Sequence, residues 1–149
     1  MKTIRVSKEF NFEMAHALYG HDGPCRNIHG HSYILTVCVI GKVFQQKDHS
    51  KDGMVIDFSD LKKIVQSQII NVYDHALVLN ANAPDKIDLV KNGFEKTIYV
   101  SFQPTCENLL IEFENKISSL LPKNIQLHHL RLNETATSFA EWYTEDNIL

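Results

Sequence analysis

The sequence predicts an α+β domain, an antiparallel sheet with two helices packed on one face. Segments with strand-like alternation lie at both ends of the chain, two before residue 44 and two after residue 124. Between them lie two stretches whose apolar residues recur at helical spacing. Strand, strand, helix, helix, strand, strand is the order of an α+β layer fold, in which helices cover one face of an antiparallel sheet.

In the first strand Phe10, Phe12, Met14 and His16 share one face, and Asn11, Glu13 and Ala15 share the other. The loop "ALYGHDGPCRN" follows, and a second strand is expected from about Ile28 to Val43, rich in β-branched residues and tyrosine. After the polar connection "FQQKDHSKDG", a helix carries Leu61, Ile64, Val65, Ile69 and Val72, with Asp57 or Ser59 as its N-cap. Pro84, two asparagines and Gly93 predict a loop, and "KTIYVSF" a short strand. The second helix starts after Pro104 with Thr105 as N-cap. It carries Leu109, Leu110, Phe113, Ile117 and Leu120, and Pro122 stops it. "IQLHHLRLNE" and "TSFAEWYT" form the last two strands, joined by a turn near Thr135 and Ala136.

A chain of 149 residues, 44% hydrophobic and 22% charged with no repeat or linker, reads as one domain, residues 1–149. The net charge of −3 and the scattered basic residues argue against nucleic acid as a partner. The N-terminus "MKTIRVSKEF" lacks the apolar core of a secretion signal, and the longest apolar run, "YILTVCVI", is of strand length, so no membrane span is expected. Three cysteines, an odd number without a CxxC pair, fit a reducing cytoplasm better than a disulfide framework.

The chemistry concentrates in "CRNIHGHSY". His29 and His31 leave the same face of an extended chain, roughly 6.6 Å apart at the backbone, close enough to converge on one metal ion. His16 supplies a third imidazole if the first two strands lie side by side. Three neutral imidazoles without a fourth protein ligand form the zinc arrangement that keeps a coordination position open for water or substrate. The competing reading is that each histidine is an ordinary hydrogen-bonded strand residue. Cys25, in a loop with Gly, Pro, Arg and Asn, is poorly placed for a core, and a neighbouring metal or arginine would lower its pKa. Cys38 lies between two valines and reads as core, while Cys106, at a helix start, is ambiguous. HExxH, paired CxxC and H-x-E with P-C-x-x-C are all missing.

"FNFEMAH", "CRNIHGHSY", "GMVIDFSDLK", "YDHALVLN", "PTCENL" and "RLNETATS" stand in the order found in the 6-pyruvoyl- and 6-carboxy-tetrahydropterin synthase family. The chain resembles that family over almost its whole length, least between Ala81 and Gln103. The resemblance implies that His16, His29 and His31 bind Zn2+ and that Cys25 is the general base. It also implies that Asp74 and His75 form a charge relay and that Glu134 anchors the pterin, with Glu107 and Thr105 beside the substrate. The implied substrate is 7,8-dihydroneopterin triphosphate. The implied fold is the tunnelling fold, in which three subunits join their sheets into a barrel and two trimers stack into a homo-hexamer with active sites at subunit interfaces.

Arg26, Asn27 and Ile28 alone separate Cys25 from "HGH", which resembles the carboxy branch, whose members release acetaldehyde and triphosphate on the way to queuosine and other deazapurines. The pyruvoyl branch, which releases triphosphate only, has a longer insertion there. A catalytically silent pterin- or zinc-binding module on the same fold is a reading of another class. Cys25 together with Asp74 and His75 argues against it, because binding alone needs neither a loop thiol nor a relay.

Overall fold

A computed structural model of the chain describes residues 2–83 and 93–148. Strands β1 (Thr3–His16) and β2 (His29–Lys42) pair antiparallel along their whole length, from Thr3 opposite Lys42 to His16 opposite His29. As the alternation predicts, Phe10, Phe12, Met14 and His16 of β1 are buried, as are Tyr33, Leu35, Val37 and Val39 of β2. Strand β5 (Ile125–Asn133) continues the sheet beside β2 and β6 (Phe139–Tyr143) closes that side, both antiparallel. Thr135 shapes the turn between them, its hydroxyl oxygen accepting from the backbone N–H groups of Thr137 and Ser138.

Two further strands, β3 (Ala76–Asn80) and β4 (Thr97–Val100), complete the order β4-β3-β1-β2-β5-β6. Both pair in parallel, β3 with β1 and β4 with β3, so the sheet is mixed and not antiparallel throughout. Of these two, β4 falls within the predicted "KTIYVSF", whereas β3 is an addition to the sequence reading. It is only five residues long and follows a helix directly, with no Gly or Pro to mark its start. The loop expected around Pro84 lies partly outside the described residues.

Asp57 caps helix α1 (Phe58–Val65), its carboxylate accepting from the Ser59 N–H. The helix widens into a π-helical segment at Gln66–Ile70 and ends in the short α2 (Asn71–Tyr73). The wider turn shifts the inward face by a residue, so Leu61, Val65, Ile69, Ile70 and Tyr73 are buried while Ile64 and Val72 pack at the margin. Thr105 caps α3 (Cys106–Ile117), which buries Leu109, Leu110, Phe113 and Ile117. Leu120, expected on the same stripe, is 47% exposed, because the helix tightens into a 3-10 turn at Ser118–Leu120 and turns it away.

Helices and sheet share one core. Phe12 stacks on Tyr33 with ring centroids 5.1 Å apart, and the Phe113 ring meets Phe12 and Tyr73 edge-on. His16 is the one buried charged or polar residue among the described ones, and it stands at the end of this apolar face.

Candidate active site

Strand register assembles the metal-ligand candidates. Because His16 is the cross-strand partner of His29, and Met14 that of His31, the three imidazoles emerge on the core face at one end of β1 and β2. Their ring centroids are 4.6 to 5.2 Å apart, and one nitrogen from each ring lies within 4.8 Å of the other two. Gly30 makes this approach possible, since a Cβ there would stand 3.3 Å from the Met14 carbonyl oxygen of β1.

Backbone carbonyls orient two of the rings. His16 Nδ1 is 2.7 Å from the Pro104 oxygen and His29 Nδ1 is 2.7 Å from the Asn27 oxygen. A carbonyl can only accept, so each Nδ1 carries the proton and each Nε2 presents a lone pair. The Nε2 atoms of His16 and His31 are buried without a hydrogen-bond partner among the described residues. Buried nitrogens left bare are costly, and a ring whose other nitrogen is held by a carbonyl while its free lone pair faces two more imidazoles is oriented as metal-ligating histidines are. Burial lowers the His16 pKa, against the pull of the Pro104 carbonyl and Glu134, and keeps the ring in the neutral, ligating form.

Glu134, directly after the end of β5, borders the cluster. Its Oε1 is 3.7 Å from His31 Nε2, and its Oε2 accepts a long bond of 3.5 Å from the Tyr33 hydroxyl. Burial and the nearby Glu134 charge raise the Tyr33 pKa, so the phenol stays a donor.

Cys25 lies in a short 3-10 turn (Pro24–Arg26) of the β1–β2 loop, partly exposed and free, its carbonyl accepting from the Leu18 N–H at 2.9 Å. It is outside the set of converging ligand atoms. Gln103 braces the same loop by bonding the Tyr19 backbone in both directions.

Asp74 and His75 follow α2 directly. His75 Nδ1 is 3.0 Å from Asp74 Oδ2, while Asp74 Oδ1 accepts from the Glu13 N–H at 2.9 Å. That backbone bond first, and the neighbouring His75 second, hold the Asp74 carboxyl below its ordinary pKa. His75 adopts φ +60°, a conformation rare for a residue with a side chain. It is fixed there by its N–H bond to the Glu13 carbonyl and by Lys96, which donates to the Asn71 and Asp74 carbonyls. An open cleft of about 400 Å³ is lined by residues from both groups, including His31 and His75.

The remaining expectations separate. Thr105 is an N-cap one residue from the carbonyl that holds His16. Glu107 lines a different cleft, between α3 and β6, and is not brought to the histidines. Cys106 is tied to the sheet, its thiol 3.2 Å from the Leu132 oxygen and its pKa pushed up to about 12 by burial. Sequence reasoning passes over Tyr33, Lys96 and the Pro104 and Asn27 carbonyls. Only Lys96 and Tyr33 have distinctive side chains, and neither stands in a recognisable spacing.

The family model of 6-pyruvoyl tetrahydropterin synthase matches residues 5–145. Over 142 residues the chain is 40% identical to the 6-carboxy-5,6,7,8-tetrahydropterin synthase of Haemophilus influenzae, covering 93% of this chain and 98% of that protein. The enzyme of the same name from Aquifex aeolicus is 30% identical over 164 residues, with 94% and 98% covered. Among solved structures, an uncharacterized protein from Wolinella succinogenes aligns with a TM-score of 0.79 at 19% identity, covering 97% of this chain and 99% of that one. The Caenorhabditis elegans 6-pyruvoyl tetrahydropterin synthase aligns with a TM-score of 0.69 at 23% identity, covering 96% of each. At these identities the two structures support the fold alone.

Proposed function

Because the chain belongs to the 6-pyruvoyl tetrahydropterin synthase family, we propose that it is a carboxy-forming member acting on 7,8-dihydroneopterin triphosphate. The chain is a pterin-converting lyase. In the proposed reaction one water is consumed, 6-carboxy-tetrahydropterin forms and acetaldehyde and triphosphate leave, as a step toward queuosine and related deazapurines. The short Cys25-to-His29 spacing and the 40% identical relative named for the carboxy product favour this branch.

The observation that carries the catalytic reading is that the buried Nε2 atoms of His16 and His31 make no hydrogen bond among the described residues, beside a His29 ring held by the Asn27 carbonyl. His16, His29 and His31 are the residues that would hold Zn2+, and neutral imidazoles suit that ion. When bound, zinc supplies a Lewis acid that polarises oxygen atoms of the substrate side chain.

The proton work falls to this chain's own groups. Cys25, as thiolate, removes a proton from the substrate side chain, and a partly exposed loop position leaves its thiol free to do so. His75, held in one tautomer by Asp74, returns or removes a proton at Nε2. Glu134 accepts bonds from the amino and ring N–H groups of the pterin, which add to the long bond its half-buried carboxylate takes from Tyr33. Thr105 supports the site through the start of α3, whereas Glu107, in a separate cleft of the single chain, is given no contact with the substrate of this site.

In this reading the working form is a homo-hexamer, two stacked trimers, with active sites between subunits. Strands β4 and β6 are the outer strands of the sheet among the described residues, and partner strands would cover them. The 76% exposed His75 is open to substrate in the cleft it shares with His31. Three free thiols fit a cytoplasmic enzyme, and no helix among the described residues is long and apolar enough to cross a membrane.

Mass analysis of the products formed from 7,8-dihydroneopterin triphosphate tests the proposal. The expected products are 6-carboxy-tetrahydropterin and acetaldehyde. A pyruvoyl product would move the chain to the other branch, and binding without turnover would leave a silent pterin module.

A further inference from the structure

A second convergence of ligating side chains lies on the opposite face of the sheet, and it originates in a β-bulge. Between β2 and β5 the register shifts: Cys38 pairs with His129 but Val39 pairs with Leu127, which leaves His128 as the extra residue. A bulge breaks the alternation and re-aims side chains, so two successive histidines are presented together. Their Nδ1 atoms are 3.0 Å apart. The Cys38 thiol completes the group, with one ligating atom from each of the three residues within 4.8 Å of the other two.

Cys38 is buried but stands outside the contiguous hydrophobic cluster beneath the helices. Val37 and Val39 on either side point into the hydrophobic cluster, from which Cys38 is missing, so its thiol faces away from the helices. There it makes only a long contact of 3.9 Å to the Val39 oxygen. Tyr143 of β6 stacks on the His129 ring at 4.9 Å and meets the His128 ring edge-on at 6.0 Å, which fixes both rings beside the thiol. The group is separate from the three-histidine cluster, because Cys38 lies seven residues along β2 from His31, roughly 23 Å, on the other face.

We propose that Cys38, His128 and His129 form a second metal site, selective for a zinc-class transition ion. One thiolate and two imidazoles are soft to borderline donors, and without an oxygen ligand the set has no appeal for magnesium or calcium. The 3.0 Å between the two Nδ1 atoms is close to the spacing of about 3.3 Å that Zn–N bonds of about 2.0–2.1 Å impose at tetrahedral angles. Binding releases the thiol proton to solvent, while the proton between the two Nδ1 atoms is relocated to Nε2 of the ring that carried it, so both imidazoles ligate in the neutral form, and the fourth position is left to water.

Cobalt(II) titration of the demetallated full-length protein tests this independently of the proposed reaction. The expected result is a second equivalent of cobalt per chain, accompanied by a near-ultraviolet thiolate-to-cobalt charge-transfer band, which three imidazoles alone cannot give. Cys38→Ser should lose the band and one equivalent, while Cys25→Ser keeps both. His128→Gln, on the half-buried bulge, should lose the same equivalent and covers the case in which Cys38→Ser fails to fold. A single equivalent without a thiolate band in the wild-type protein would overturn the proposal. So would a band that survives Cys38→Ser or disappears in Cys25→Ser.

Discussion

His16 and His29 face each other across the β1–β2 ladder, their ring centroids 4.6 Å apart, and each is held by a backbone carbonyl at Nδ1. Two imidazoles at that distance tolerate one another only while at least one is neutral. Burial lowers the His16 pKa from its usual 6.5, which sets the sign of a stability effect in the metal-free protein. Below pH 6.5 the unfolded chain takes up a proton at this position that the folded chain refuses, so the unfolded state is favoured as pH falls toward the lowered native value.

The Tm of the metal-free protein should therefore decline as pH drops below 6.5 and level off above it. His16→Gln, which does not titrate, should show a shallower decline. Equal slopes for the two proteins would mean that His16 is not the residue responsible.

Asp74→Asn tests the relay. The side-chain oxygen can still accept from the Glu13 N–H, so the fold should persist, but the amide group would face His75 Nδ1 as a donor and force the other tautomer. The expected loss is about 10²–10⁴-fold in kcat, the range of general acid–base contributions, with little change in KM. A kcat within twofold of the wild type would remove Asp74 from the chemistry.

Glu134→Gln separates pterin anchoring from catalysis. Glutamine still offers the Tyr33 hydroxyl an acceptor, yet it sets a donor against the N–H groups of a pterin and loses the charge. Hydrogen bonds to a charged group contribute about 1.5–3 kcal/mol, so kcat/KM should fall roughly ten- to a hundredfold, mainly through KM. An unchanged KM would contradict the anchor role.

Much of this architecture was legible in the sequence because it rests on short-range signals. Alternation placed Phe12, Met14 and His16 on one face, Asp57 and Thr105 marked helix starts, and HxH spacing put His29 and His31 side by side. What the sequence hides depends on distant pairing. Strand β3 is defined by parallel partners on both sides, and the π-helical turn shifts the inward face without a Gly or Pro to signal it. Cys38 is buried as its valine neighbours suggest, but the bulge at His128, a property of two strands together, brings two histidines beside its thiol. The carbonyls of Pro104 and Asn27, which orient the imidazoles, carry no side-chain signature.

The central claim is that three imidazoles hold the ion while a separate thiol moves the proton, and it predicts that metal content and turnover can be uncoupled. Metal content and turnover measured on the same samples of His29→Ala and Cys25→Ala test it most directly. His29→Ala should lose the ion of the three-histidine site and with it the activity, since only two ligands remain. Cys25→Ala should keep that ion and the fold yet turn over roughly a hundredfold or more slowly, because alanine cannot accept a proton. Full metal in His29→Ala, or loss of the ion or near-normal turnover in Cys25→Ala, would contradict the account.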